Sequence, residues 1–572
     1  MEHKRNDSIQ KTQLIVEGQA SGEVLVCVEG LSFWGGIDPQ TGVIIDAHHP
    51  NHGDSVSYKC LLMPTSRGSC SGSGVLLQLA LNNLAPAMII FSEPEQVLTL
   101  GSIVCDRIFR ISVPIICLSQ KNYNAVASER WVDLRDHKLV LANQTINLDP
   151  ISKDQLVLSE MDHAYLKGEY GSAAKAAMET ICVMAAVDNA DCLINVNKGH
   201  IDGCILAHDA NLIFAEKMAQ LGAQVTIPTT INAISVDREN WHKSGIDQNF
   251  GERASRLADA YVAMGVKPTF TCAPYLLNDK PHFGENIGWS ESNAVIFANT
   301  VLGARTQKHP DYLDLFISMT GRAPASGIYS THGREARVKI EVTIPQNWLP
   351  DDETFWPLIG WLSGKLSPDT VPMITGLEYL SPTTDDLKSL CAAFGTTSGA
   401  PMLHILGQTP ESDDQTDEGL PIQRIDSENL KEAWFELNRG LEKIDLVAIG
   451  SPHASIDEIR KIITLFDGRR CHQHTQMKVT TARDTIKLAE AEGLTEKLAV
   501  ADVQLIPDLC WCSIIEPVFP REAKGLMTNS GKYAHYAHGL SNRHSRLGSL
   551  QDCVSAAVSG FAAHELPNWL ID

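Results

Sequence analysis

The stretch MPTSRGSCSGSG, Met63 to Gly74, gathers serine and threonine hydroxyls, the Cys70 thiol and the Arg67 guanidinium in one loop before the helix-like run VLLQLALNNL. Such a loop could be a linker, a phosphate cradle or the support of one reactive hydroxyl. A Walker A loop needs Lys-Ser or Lys-Thr after its last glycine, and none follows. A nucleophile elbow needs G-x-S-x-G, and Ser69 stands where the first glycine should precede Ser71. What survives is a Gly/Ser turn that delivers N–H groups and hydroxyls to a helix start, where the dipole favours an anion such as a carboxylate. A plain N-cap is the alternative. Arg67 adds a fork that suits a carboxylate.

Four further segments, HIDGC (His200 to Cys204), TCAPYL (Thr271 to Leu276), GSPHAS (Gly450 to Ser455) and DLCWC (Asp508 to Cys512), put Cys or His on what read as strand ends or loops. In open α/β sheets ligands gather outside the carboxyl ends of strands, so segments distant in sequence can meet there. None has zinc-finger spacing. On a strand, Cys510 and Cys512 would point to one face. Two polar runs, NIGWSESNAVIFANTVLGART with Glu291, Ser292, Asn293, Asn299, Arg305 and Thr306, and TNSGKYAHY with Asn529, Ser530, Lys532 and Tyr536, suit a pocket for a small charged molecule.

The elements that must position these groups come in two textures. From about residue 20 to 118, short strand-like runs (EVLVCVEG, GVIIDA, AMIIFSE, VPIICLS) are separated by Gly, Pro and Asp, with one helix expected over Gly74 to Asn83. Beyond about residue 150, helical patterns such as GSAAKAAMETICVMAAVDNA alternate with compact strands such as DLVAIGSP, which predicts βα units and parallel sheets. The reading is an α/β protein with a small unit over 1–148 and a large one over 149–572. PESDDQTDEGLPIQRIDSEN, around 410 to 429, is polar enough to be an exposed loop.

The 572 residues are too many for one core. A net charge of −22 argues against a general nucleic-acid or anionic-membrane binder, since both reward clustered Lys and Arg. MEHKRNDSIQKTQ lacks the apolar segment of a secretory signal, and no apolar run approaches the ~20 residues that span a bilayer. The expectation is a cytoplasmic protein with its 14 cysteines mostly reduced.

These motifs together resemble aconitase X, a branch of the aconitase superfamily. The resemblance runs through FWGGIDPQTG and PTSRGSCSGSG in the small unit. In the large unit it runs through LKGEYG, HIDGC, TCAPYL, WSESNAVIFANTVLGARTQ, TGRAP, SGAPMLHILGQTPE, GSPHAS, DLCWC and TNSGKYAHY. It implies a small swivelling domain, here N-terminal, closing on a large aconitase-like domain. The implied activity of the fused bacterial type is dehydration of cis-3-hydroxy-L-proline to Δ1-pyrroline-2-carboxylate, the alternative being mevalonate 5-phosphate or another hydroxy acid. An RNA-binding regulator and a metal store are the non-enzymatic rivals; the first would need a basic cleft, and the second leaves the polar runs unused. Ser71 is implied as the base, and a hydroxyl among N–H donors in a dry site can serve as a stabilised alkoxide. The implied cofactor is an iron–sulfur cluster, of the [2Fe-2S] type, or mononuclear iron, acting as a Lewis acid. Cys272 and Cys510 take family ligand positions. Archaeal members have a GCPH loop where this chain has Ser451, so the third thiolate is assigned to Cys204, with Cys391 or Cys512 as weaker alternatives. Arg67, Ser69 and Ser73 are assigned to the substrate carboxylate, with Ser292, Asn293, Arg305 and Lys532 around the substrate. Lys167, Glu169, Thr229, Thr230 and Asn232 come next. The expected partner is the hydroxyproline alone, with a monomer and no nucleic acid or membrane.

Overall fold

The computed structural model describes residues 12–344, 353–563 and 566–571. The N-terminal unit is built on strands β1 (Gln13–Val16), β2 (Ala20–Val26), β3 (Cys60–Met63), β4 (Met88–Phe91), β5 (Ile115–Cys117), β6 (Trp131–Arg135), β7 (Lys138–Val140), β8 (Thr145–Asn147) and β9 (Asp149–Pro150). They form one nine-stranded sheet in the order β8-β7-β6-β2-β3-β4-β5-β1-β9. Its centre, β2-β3-β4-β5, is parallel. The runs CLLM of β3 and MIIF of β4 are buried throughout, as parallel strands covered on both faces should be. β9 pairs with β1, so this sheet reaches two residues past position 148.

Helix α1 (Gly72–Leu81) crosses from β3 to β4 and starts two residues earlier than expected, because Gly72 and Ser73 are already wound. A second crossover helix, α2 (Val97–Phe109), corrects the expectation of one helix among these strands. Its residues from Leu98 to Cys105 are buried, which removes the polar stripe from which a helical period is read.

The large part contains the expected parallel α/β architecture, in three principal sheets. The first, β11-β10-β12, comprises β10 (Lys198–Ile201), β11 (Thr229–Ile231) and β12 (Ile287–Trp289), all parallel. The second, β15-β14-β13-β16, comprises β13 (Val338–Val342), β14 (Pro372–Thr375), β15 (His404–Ile405) and β16 (Ile422–Ile425). The third, β19-β18-β17-β20-β21, comprises β17 (Leu446–Ile449), β18 (Gln476–Thr481), β19 (Val503–Pro507), β20 (Leu526–Thr528) and β21 (Ser545–Leu547). The expected loop over 410–429 is a loop only in its first part. β16 and a helix capped by Asp426 occupy the rest. β16 is an edge strand with Ile422, Gln423 and Arg424 exposed, which is why its sequence reads as polar.

The second and third sheets have their own apolar cores. The first shares one with the N-terminal unit: a single cluster runs from Leu76 and Val104 through Phe214 to Tyr312. Polar bonds cross the same junction. Gln78 Oε1 accepts from Ala210 N at 2.8 Å, Ser73 Oγ donates to Asp311 O at 3.3 Å, and Arg107 pairs with Glu179 at 2.6 Å. The N-terminal unit is thereby docked with the loop before α1 facing the ends of β10, β11 and β12.

Candidate active site

Three parallel strands end side by side, and each delivers a polar residue just past its carboxyl end: Asp202 after β10, Asn232 after β11 and Glu291 after β12. Asn232 Nδ2 donates to Asp202 Oδ1 at 2.5 Å and to Glu291 Oε2 at 3.1 Å. Glu291 Oε1 accepts from Lys532 Nζ at 2.9 Å; Lys532 lies in the first turn of α3 (Gly531–Ser541), which follows β20. Burial pushes the Glu291 carboxyl up, but the Lys532 ammonium outweighs it and holds the group down at about 2. Burial likewise opposes the charge of Lys532, and Glu291 more than restores it.

The serine loop meets this network from the other unit. Ser71 occupies the N-cap position of α1, yet its side chain accepts no hydrogen bond from the helix, so the plain-cap reading does not describe its hydroxyl. Ser69 Oγ donates to Ser71 Oγ at 3.4 Å and accepts from Ser71 N at 3.3 Å. Cys70 Sγ donates to Asp202 Oδ2 at 3.6 Å. Ser73 Oγ is occupied by Cys70 O at 3.2 Å and Asp311 O, which makes it a docking contact rather than a carboxylate grip. The Arg67 side chain is 61% exposed and turned to Glu29 at 3.5 Å, outside the enclosed group.

Ligand atoms of Cys70, Asp202 and Asp311 all lie within 4.8 Å of one another. Burial, then the charge of Glu291, pushes the Asp202 carboxyl well up. Asp311 is also raised by burial, with partial relief from the Ser71 hydroxyl and the Cys70 thiol, which approach the same carboxyl. Asp314, whose Oδ2 accepts from Asp202 N at 2.7 Å, is pushed up to about 7 by burial and by Asp311. Lys308 is half-buried near Cys70, Glu291 and Lys532, and loss of hydration lowers its pKa. It makes no ion pair among the described residues.

Cys272, Cys510 and Cys512 come together close to Lys532. Cys272 and Cys510 pack with Ala233, and Cys512 lies against them. Each neighbouring sulfur is the leading influence on the next, Cys272 pushing Cys510 up and Cys510 pushing Cys512 up. His453 N donates to Cys272 Sγ at 3.3 Å, while the His453 ring is fixed by Thr271 Oγ1 at 3.1 Å and Leu509 O at 2.7 Å. Ser451 Oγ stands 4.0 Å from Cys512 Sγ. Three soft donors, one with a backbone N–H directed at its sulfur, fit an iron or iron–sulfur centre.

The third member of this set is Cys512, where Cys204 was expected. Cys204 Sγ donates to Asn232 O at 3.4 Å and Ala233 O at 3.2 Å, and its surroundings are carboxylates rather than sulfurs. Cys391 is raised by burial alone, inside the core of the second sheet. The Cys510–Cys512 segment is also no strand: Ser513 N donates to Cys510 O at 2.8 Å and closes a turn around buried Trp511.

Among the other expected residues, Asn293 is close by but fully engaged. Its Nδ2 donates to Cys272 O at 3.1 Å and Glu291 Oε1 at 2.5 Å, and its Oδ1 accepts from Tyr275 at 2.9 Å. Asn293 therefore braces the thiol set against Glu291. A Cβ at Gly395 would lie 4.0 Å from Ser292 Oγ, so that hydroxyl faces the helix Thr384–Thr397. Arg305 lies apart, bonded to Tyr329 O at 2.9 Å and facing Glu411 at 3.8 Å. Lys167 and Glu169 are exposed, and Thr230 is taken by His200 at 2.8 Å. Sequence reasoning missed Asp202, Asp311 and Lys308. Asp202 sits inside the quoted HIDGC motif, whereas the other two lie in KHPDY, which carries no motif signal.

Comparison with known proteins matches the chain to models of the aconitase X swivel domain over 9–142, the aconitase X first domain over 155–332, the second over 336–435 and the third over 444–559. The chain is 44% identical to a cis-3-hydroxy-L-proline dehydratase of Pseudomonas aeruginosa, over 97% of each chain. It is 41% identical to a protein of the same name from Hypocrea jecorina, over 99% of this chain and 98% of that one. The crystal structure of Thermococcus kodakaraensis aconitase X in its holo-form superposes with a TM-score of 0.64 at 30% identity, covering 70% of this chain and all of that one.

Proposed function

The chain belongs to the aconitase X family, and from that membership and the geometry above we propose that it is a hydro-lyase converting cis-3-hydroxy-L-proline to Δ1-pyrroline-2-carboxylate and water. The observation that carries the reading is Ser71: a hydroxyl at a helix start, unused by the helix and brought from the small unit against buried acidic groups of the large one. Ser71 Oγ takes the proton from Cα of the substrate. The electron pair left on Cα forms the Cα–C3 double bond as the 3-hydroxyl leaves, and the resulting enamine tautomerises to the ring imine.

Cys272, Cys510 and Cys512 would hold an iron–sulfur cluster, of the [2Fe-2S] type, or mononuclear iron, which as a Lewis acid assists departure of the hydroxyl. Lys532, kept charged by Glu291 and close to that sulfur set, offers a proton toward the departing hydroxyl. Asn232 and Asn293 hold Glu291 in place from either side. Ser69 and Lys308 supply hydrogen-bonding and positive character for the substrate carboxylate. Docking of the small unit keeps bulk water from the carbanionic stage.

The reading includes a monomer acting in the cytoplasm with no nucleic-acid or membrane partner. The charge of −22 and the cysteines, all free, support it. Among the described residues no helix is long and apolar enough to cross a membrane.

The deciding experiment is anaerobic purification with iron analysis and a visible absorption spectrum, followed by an assay of cis-3-hydroxy-L-proline loss. Ser71→Ala should lower turnover by roughly a thousandfold or more while retaining iron. Retained turnover would remove Ser71 as the base. Failure to act on cis-3-hydroxy-L-proline, with turnover of mevalonate 5-phosphate, would reverse the substrate.

A further inference from the structure

Two carboxyls and a thiol gather beside Ser71, and among the described residues neither carboxyl, Asp202 or Asp311, is paired with a cation. Asp202 Oδ1 is satisfied by Asn232 at 2.5 Å and its Oδ2 faces Cys70 Sγ at 3.6 Å. Asp311, only 3% exposed, has a buried Oδ1 with no hydrogen-bond partner among the described residues. A buried acceptor of that kind is costly unless something donates to it. Glu291 is not in the same position, because Lys532 already neutralises it.

The position of this pair relative to Ser71 decides what fits. Ser71 removes a proton from Cα, and in an imino acid the ring nitrogen is bonded to that same carbon, about 1.5 Å away. A group that attends to the nitrogen must therefore lie beside the base. Asp311 is that neighbour, approached by both Ser71 and Cys70, and Asp202 is within 4.8 Å of it. A secondary ammonium has two N–H donors, one for each carboxyl.

We infer that Asp202 and Asp311, closed over by the Cys70 loop, bind the ring ammonium of the substrate and set a preference for imino acids over hydroxy acids that lack a basic nitrogen. The inference rests on the dehydratase reading for its substrate class. It assigns the two ends of a zwitterion to different sides of Ser71, the ammonium to Asp202 and Asp311 and the carboxylate to Ser69 and Lys308. A hard divalent cation would find a poorer set here. One of the three donors is a thiol, and one carboxylate oxygen is already committed to an amide.

The test compares two ligands that cannot be dehydrated, L-proline and (S)-tetrahydrofuran-2-carboxylate, which differ in having a ring ammonium or a ring oxygen. Binding is measured by calorimetry on the iron-loaded protein, for wild type, Asp202→Asn and Asp311→Asn, with circular dichroism confirming the fold. Wild type should prefer L-proline by roughly tenfold or more, and each variant should lose roughly tenfold on L-proline with little change on the oxygen analogue. Equal binding of the two ligands by wild type, or equal losses on both in the variants, overturns the inference. So does a stoichiometric metal other than iron that is present in wild type and absent from the variants. If Asp311→Asn does not fold, Asp202→Asn decides alone, and the charge-preserving Asp202→Glu should keep the preference for L-proline. Selective proline binding by a protein that does not dehydrate cis-3-hydroxy-L-proline would sink the reaction and leave the ammonium site standing. Turnover without that selectivity would do the reverse.

Discussion

Lys532 Nζ lies 2.9 Å from Glu291 Oε1, with side chains only 10% and 12% exposed. Removing one partner leaves the other charged in a closed site. Glu291→Gln should cost on the order of 3–5 kcal/mol of stability, visible as a lowered urea midpoint. The double variant Glu291→Gln, Lys532→Met should recover part of that loss while turnover stays absent. Recovery of turnover in the double variant would show that the pair serves only the fold.

Iron content separates the sulfurs. Cys272→Ser, Cys510→Ser and Cys512→Ser should each lose most of the iron and the visible absorbance after anaerobic purification. Cys204→Ser should keep both, since Cys204 Sγ is turned to the carbonyls of Asn232 and Ala233. Iron lost from Cys204→Ser and kept in Cys512→Ser would restore the family-based assignment.

Stability of the ligand-free protein should fall as pH rises from about 4 to 7. Asp314 is pushed up to about 7 by burial and by Asp311, so across that window the folded chain holds a proton that the unfolded chain has released. The loss is on the order of 4 kcal/mol at about 1.4 kcal/mol per unit. Urea unfolding at a series of pH values, with Asp314→Asn flattening the slope, checks this. An unchanged slope in that variant would rule out Asp314 as the source.

A second pair gives the opposite sign. Arg322 Nε and Nη2 donate to Asp162 at 2.8 and 2.9 Å, and Arg322 also binds Leu193 O at 3.0 Å. Burial works against the Asp162 charge, but Arg322 outweighs it and the pKa is lowered. Its contribution is present above about pH 4, the unfolded value, and is lost as pH falls through the lower folded value. Asp162→Asn should cost about 3–5 kcal/mol at neutral pH, where one partner of a buried pair is removed, and less in acid, with turnover of the folded fraction unchanged. An equal cost at pH 3 and pH 7 would contradict the sign.

Much of the site was legible in short motifs because the chemistry sits where parallel strands end. HIDGC, TIN, WSE, GSPH, DLC and TNSGK each cover the residues just past a strand. What spacing could not carry was contact across units. Ser73 reads like Ser69, yet its hydroxyl is consumed by Asp311 O, and Arg67 reads as an anion fork yet faces Glu29. Lys308 and Asp311 sit in a segment with no motif, and only the fold brings them to the serine loop. Cys512 ranked below Cys204 in the sequence because HIDGC carried the resemblance to the fused type, whereas in the fold a turn brings Cys512 to Cys272 and Cys510. α2 was missed for a different reason, its apolar residues surrounding it on all sides.

The unbroken apolar cluster from Leu76 and Val104 to Phe214 and Tyr312 means that swinging the small unit away wets oily surface at about 25 cal/mol per Å². Any ligand exchange that parts the two units must work against that cost, a demand separate from bond-breaking.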